Sequence, residues 1–221
     1  MNVEIRVVDD PARAAAELLA EAAVSGAQLA LSGGSTVGRA FELAAQLQPR
    51  WENVTAWFGD ERAVPPDDER SNYRLARESL LERLEVAPEV RRIEGELGAE
   101  EAAANYDAAL AGVVLDLALN GIGPDGHTAS LFPGAPGLAE RERRAVAAEP
   151  GLDPFVPRVT LTPPVFAECA LLVYLVTGEK KADAVRSAFD EEPSAATPAS
   201  LVRGRRTIAL LDAAAASLLD A

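Results

Sequence analysis

The sequence predicts an α/β protein: a mainly parallel sheet with helices on both faces. Three observations predict it. Short apolar segments that read as strands alternate with longer stretches of helical period along the chain. Cap and breaker residues punctuate the alternation at nearly every junction. Apolar residues make up 48% of the chain and charged residues 25%, the balance of a globular protein with a full core. No internal repeat interrupts the pattern, and 221 residues suit one domain spanning 1–221.

The elements follow in order. Val3 to Val8 reads as a first strand. Asp10-Pro11 supplies a cap and a first-turn proline for an Ala-rich helix that runs to Ser25 and ends at Gly26. Gln28 to Leu31 is a strand, Ser32 to Thr36 a loop, and 36–47 a helix. Val54 to Phe58 is a strand, followed by a charged loop from Gly59 to Arg70. A helix over 72–84 carries an apolar stripe at Leu75, Leu80 and Leu84. Another covers 99–110, and a strand from Val113 to Leu119 runs into the Gly-rich stretch 121–126. Residues 134–157, rich in Pro, Gly, Glu and Arg, read as a long surface excursion. Arg158 to Leu161 and Leu171 to Val176 are strands, 163–168 and 179–190 helices, and Thr207 to Leu219 a closing strand and helix.

Composition excludes several roles. A net charge of −14 repels nucleic acid and anionic membrane, so neither is an expected partner. No apolar run is long enough to span a bilayer. The N-terminus, Met1 to Arg6, lacks the basic and apolar regions of a signal peptide. Cys169 is the only cysteine, which forbids an intrachain disulfide and points to the cytoplasm. It reads as a small residue entering a buried strand, not as a nucleophile.

Four segments carry candidate chemistry. In an open parallel sheet, ligands bind beyond the carboxyl ends of the strands, and loops 32–35, 59–72 and 120–134 leave strands there. Ser32-Gly33-Gly34-Ser35 lets backbone N–H groups approach an anion at a helix N-terminus; equally, Ser35 or Thr36 could cap a tight turn. Asp60-Glu61-Arg62, with Ser71-Asn72 beyond it, can bring a carboxylate and a phosphate-binding guanidinium into one cleft, or can be a solvated loop. Gly121 to Phe132 is the most informative stretch. It holds the only histidine, His127, two residues from Asp125 and among Gly121, Gly123 and Gly126. A carboxylate there can fix the imidazole tautomer, and an imidazole of ordinary pKa, about 6.5, can act as a base near neutrality. One histidine without cysteine partners argues against a zinc site, which needs three or four ligands. The fourth segment is Gly178-Glu179-Lys180-Lys181. Lysine occurs only at 180 and 181, which suggests a compact cation at a strand–helix junction or a helix-surface pair.

Taken in this order, the segments resemble the 6-phosphogluconolactonase family. The resemblance rests on Ser32 to Ser35, Phe58 to Arg62 with Val64-Pro65 and Ser71-Asn72, Gly123 to Pro133, and Gly178 to Lys181. Arg158 to Thr162 and Thr197 to Ser200 also resemble family segments. Asn120 stands where an apolar residue or glycine is expected, and Ala196-Thr197-Pro198 where the family more often has leucine before the proline. The related amino-sugar-phosphate deaminases share the Asp-Gly-His core but differ around Asp60 to Arg62 and Thr128 to Phe132. The resemblance implies a three-layer, Rossmann-like fold of the sugar-phosphate isomerase/deaminase type. It implies hydrolysis of 6-phospho-D-glucono-1,5-lactone, the second step of the oxidative pentose phosphate pathway. His127 would be the base and Asp125 would orient the site, through His127 or through sugar hydroxyls. Ser32, Gly33, Gly34, Ser35, Asp60, Arg62, Asn72, Gly123, Gly126 and Lys180 would bind substrate, with phosphate on Arg62, Lys180 and the Ser32–Ser35 loop. The expected partner is the small sugar-phosphate lactone, and the chain a monomer or weak homo-oligomer. The rival expectations are an amino-sugar-phosphate deaminase or isomerase and a non-catalytic sugar-phosphate binder.

Overall fold

A computed structural model of the chain describes residues 3–220; Met1 and Asn2, part of the leader reading above, lie outside them. Seven strands form one parallel sheet in the order β1-β10-β9-β6-β2-β3-β5. They are β1 (Glu4–Val7), β2 (Gln28–Leu31), β3 (Thr55–Phe58), β5 (Glu89–Val90), β6 (Leu117–Asn120), β9 (Leu171–Val176) and β10 (Arg206–Leu211). A second, antiparallel sheet joins β4 (Asp60–Arg62), β8 (Arg158–Leu161) and β7 (Ala145–Ala148), in that order. The helices are α1 (Pro11–Ala22), α2 (Ser35–Leu47), α3 (Asn72–Ser79), α4 (Ala99–Ala109), α5 (Pro163–Glu168), α6 (Ala182–Phe189) and α7 (Pro198–Leu201).

The strand order explains where a ligand can bind. From β2 the chain moves through β3 to β5 in one direction, and from β6 through β9 to β10 in the other. The order therefore reverses between β2 and β6, and the crevice at such a switch point opens at the carboxyl ends of the strands. Right-handed crossovers taken in opposite directions put α2 and α6 on opposite faces. The central strands are buried on both sides: β6 entirely, β2, β3, β9 and β10 except at one end. Phe41 of α2, Phe58 and Tyr174 are among the large side chains that fill the core.

Several expectations change. Asp60 to Arg62 is a strand, not part of a loop, because β8 supplies its backbone partners. Arg158 to Leu161 consequently belongs to the small sheet and not to the parallel one. The surface excursion contains β7, which pairs with β8. α1 ends at Ala22, short of Ser25. The helix expected over 72–84 stops at Ser79, and Leu81–Arg83 is a separate 3-10 turn. The strand expected at 113–119 is paired only from Leu117 to Asn120. After β10 the chain makes successive turns where a helix was expected, and the Asp212 carboxylate accepts from Gly178 N and Ala215 N there. β5 and α7 had no counterpart in the sequence reading.

Candidate active site

A cleft of about 560 Å³ opens at the carboxyl ends of β2, β3, β6 and β9. The Ser32–Thr36 loop, Asp60, Arg62, Gly121 to Pro124, His127, Ala129, Arg158 and Lys181 contribute to its lining. Each comes from a segment whose local structure has a definable cause.

His127 is held by its own loop. Gly123 N donates to His127 O at 2.8 Å and Gly126 N to Gly123 O at 3.0 Å, so 123–127 is a closed turn. Asp125 Oδ1 lies 2.5 Å from His127 Nδ1 and also accepts from His127 N at 3.2 Å. A carboxylate only accepts, so in a neutral imidazole this contact selects the tautomer with the proton on Nδ1 and the lone pair on Nε2. The imidazole packs on Phe132 with centroids 4.7 Å apart. A β-carbon on Gly123 would stand 2.0 Å from Nδ1, so the imidazole occupies space that only glycine leaves free. Asp125 does not line the cleft; its carboxylate is engaged by His127.

The Ser32–Ser35 loop resolves the choice posed by its sequence. Gly34 is the N-cap of α2, and no side chain caps the helix. Thr36 Oγ1 is instead 3.0 Å from Thr177 Oγ1, and the buried Ser32 Oγ has no partner among the described residues. The first-turn N–H groups of a 13-residue helix thus have no side-chain acceptor at the cleft. Asn72 stands behind this loop, outside the lining: a β-carbon on Gly33 would be 1.9 Å from Asn72 Oδ1. Gly126 also lies outside, packed on Thr197.

Asp60 is buried and hydrogen-bonded through both oxygens. Asn72 Nδ2 donates to Oδ1 at 3.1 Å, and Ser130 Oγ to Oδ2 at 2.7 Å. Ser130 reaches inward because the preceding Ala129 adopts φ +49°, an uncommon conformation for a residue with a β-carbon. Glu61 faces away from the cleft and binds the start of α3, accepting from the N–H groups of Asn72 and Tyr73 and from Ser71 Oγ. Burial pushes its carboxyl above the ordinary range, against the pull of these donors.

Three cations share the cleft wall. Arg62 and Arg158 are cross-strand partners in the β4–β8 ladder. Like charges directly opposite each other are destabilising, and neither guanidinium forms an ion pair among the described residues. Arg62 Nη1 donates to Arg70 O, Arg158 Nη2 to the carbonyls of Leu152 and Pro154, and both Nε atoms are buried without partners among the described residues. Burial, then repulsion from Arg62, holds the Arg158 pKa below its ordinary value. The structure separates the two lysines. Lys180 is exposed and outside the lining, and Lys181 lines the cleft. Glu179–Lys181 is a 3-10 turn ahead of α6, where one continuous helix over 179–190 was expected. Burial pushes the Lys181 ammonium below its ordinary pKa, and Asp125 pulls it back up. Arg158 is the site residue that the sequence reading left unassigned. Its signal was an arginine at the head of a short strand that also holds Val159 and Leu161.

No group of three or more potential metal ligands occurs among the described residues. No helix there is long and apolar enough to cross a membrane.

Fold and cleft define a class: an open, doubly wound α/β protein with an imidazole and a cationic wall at its switch point. Comparison with known proteins narrows it. Residues 3–210 match the family model described as glucosamine-6-phosphate isomerases/6-phosphogluconolactonase. A curated 6-phosphogluconolactonase of Homo sapiens is 40% identical over 209 residues, covering 86% of this chain and 80% of its own length. The crystal structure of 6-phosphogluconolactonase from Leishmania guyanensis superposes with a TM-score of 0.87 at 28% identity, covering 100% of both chains. A monomeric glucosamine-6-phosphate deaminase superposes at 0.83 with 21% identity, over 99% of this chain and 100% of its own, a likeness of fold alone. The chain belongs to the glucosamine-6-phosphate isomerase/6-phosphogluconolactonase family.

Proposed function

We propose that this chain hydrolyses 6-phospho-D-glucono-1,5-lactone to 6-phospho-D-gluconate, the second step of the oxidative pentose phosphate pathway. The single observation that carries the reading is His127 in a cationic cleft, with Nδ1 engaged by Asp125 and Nε2 left free as a base. Nε2 takes a proton from a water as that water attacks the lactone carbonyl. Backbone N–H groups of a glycine loop on the cleft stabilise the tetrahedral oxyanion. The imidazolium, stabilised by Asp125, then returns the proton to the departing ring oxygen. Asp125 acts here through His127, because its position behind the ring supports orientation over contact with sugar hydroxyls. Arg62, Arg158 and Lys181 hold the phosphate with the first turn of α2. The mechanism requires neither metal nor organic cofactor. Asp60, whose oxygens retain acceptor capacity beyond their two donors, receives a sugar hydroxyl. A cytoplasmic setting goes with this reading, supported by the lone, buried Cys169.

The deciding experiment is a lactonase assay on freshly prepared phosphorylated lactone with the spontaneous opening subtracted. Ammonia release from glucosamine 6-phosphate is measured alongside. Lactone turnover without ammonia is the expected result; ammonia without lactone turnover overturns the reading.

Gly123→Ala provides a second test. The added methyl would displace the imidazole from Asp125. Turnover is expected to fall at least as far as on loss of a general base, about 100-fold. The far-ultraviolet circular dichroism should be retained. Normal turnover in this variant would mean that the imidazole position does not matter.

A further inference from the structure

Strand β6 is buried throughout, yet after Leu117, Ala118 and Leu119 it ends on an amide, Asn120, only 1% exposed. Its Nδ2 donates to Thr128 Oγ1 at 3.1 Å. The Thr128 hydroxyl, fully buried, donates onward to Gly121 O at 3.0 Å. Asn120 Oδ1 has no partner among the described residues. An unpaired buried carbonyl is destabilising, and an apolar side chain of similar size would avoid it. A local choice that opposes stability is expected at positions kept for function.

The location suggests that function. Thr128 directly follows His127, so the Asn120–Thr128–Gly121 clasp closes the base of the loop that presents the imidazole. On its other side, Asn120 Oδ1 is 3.4 Å from where a β-carbon on Gly59 would stand, next to Asp60. Asn120 therefore lies between the His127 loop and the strand that carries Asp60.

We propose that Asn120 is a positioning residue for His127, acting through the Thr128 hydroxyl. It touches no substrate. Its amide fixes the loop base so that Nε2 stands at the correct distance from the attacking water. The kinetic part of this proposal rests on the lactonase reading; the spectroscopic part does not.

The test uses the full chain with Asn120→Leu, Thr128→Val and the double variant. Asn120→Leu is expected to lower kcat about ten-fold with KM nearly unchanged, within the ~100-fold that a displacement of ~1 Å can cost. Its melting temperature should stay level or rise, because the unpaired carbonyl is gone. The double variant should be no worse than Thr128→Val alone, since both remove one clasp. His127 is the only histidine, so its imidazole signals can be followed by NMR without assignment. They are expected to shift or broaden in Asn120→Leu, whether or not the lactone is the substrate. Asn120→Ser, smaller and without the amide, replaces the leucine variant if that fails to fold. The proposal is overturned by an unchanged imidazole spectrum, by additive losses in the double variant, or by a fall in melting temperature large enough that a smaller folded fraction accounts for the loss of kcat.

Discussion

His127→Asn is expected to remove most of the enzyme-dependent lactone hydrolysis while leaving the fold intact. Asparagine keeps a polar group in the loop but offers no basic nitrogen. Loss of a general base costs about 100-fold or more. The spontaneous opening of the lactone sets the floor, so the comparison is made on the rate above it. The pH profile supplies the sign. Protonation of Nε2 removes the lone pair that accepts the proton from water, so wild-type activity falls as pH falls. The limb should follow the imidazole titration measured by NMR on the same protein, and it should be absent from any residual activity of His127→Asn. An identical acid limb in the variant would assign the base elsewhere. Asp125→Asn tests the same geometry one step back. The amide can turn its NH₂ toward Nδ1 and select the tautomer that protonates Nε2, so kcat should fall with little change in KM.

What could be read from the sequence depended on how far apart the interacting residues lie. The Asp125–His127 pair was legible because two residues of one tight turn must be neighbours, and the surrounding glycines mark that turn. β2 and β9 were legible because their apolar runs are bounded by loop residues. Asp60 to Arg62 was not. Three charged residues in a row carry no strand signature, and they are a strand only because β8 pairs with them from a distant part of the chain. Glu61 could be a cleft carboxylate or part of a solvated loop by its sequence; it is neither, because the start of α3 returns to meet it and buries it. Arg158 acquires meaning only in register with Arg62, and register between distant strands is invisible to local pattern. Which of Lys180 and Lys181 lines the cleft was not legible, because neighbours in a helical turn point about 100–120° apart and only the packing of the turn decides which one faces inward. Strand order is likewise nonlocal, yet the alternation of strands and helices was enough to expect a cleft at the carboxyl ends of the strands, where one lies.

Alanine substitutions at Arg62, Arg158 and Lys181 are each expected to raise KM for the phosphorylated lactone, and Lys180→Ala is expected to behave as wild type. The molecule as a whole repels a dianion, with a net charge of −14, so the cleft must reverse that field locally. Arg62 and Arg158 oppose each other across a ladder with no carboxylate between them in an ion pair, and a bound phosphate would relieve the repulsion. Hydrogen bonds to charged groups contribute about 1.5–3 kcal/mol each, roughly a 10- to 150-fold change in binding. The phosphate is remote from the reacting carbonyl, so most of the loss should fall on KM, and a part on kcat if the phosphate also orients the ring. Arg62→Lys should recover only part of the loss, because an ammonium lacks the guanidinium fork. Arg158→Lys is the safer variant at that position, since Arg158 also binds the carbonyls of Leu152 and Pro154. Because burial lowers the Lys181 pKa, the positive charge is lost below the ordinary lysine range as pH rises. KM should therefore climb on the alkaline side in wild type and stay flat in Lys181→Arg. Kinetics on the phosphorylated and unphosphorylated lactones separate the roles. Equal losses on both substrates, or equal behaviour of Lys180→Ala and Lys181→Ala, would remove the phosphate from this wall of the cleft.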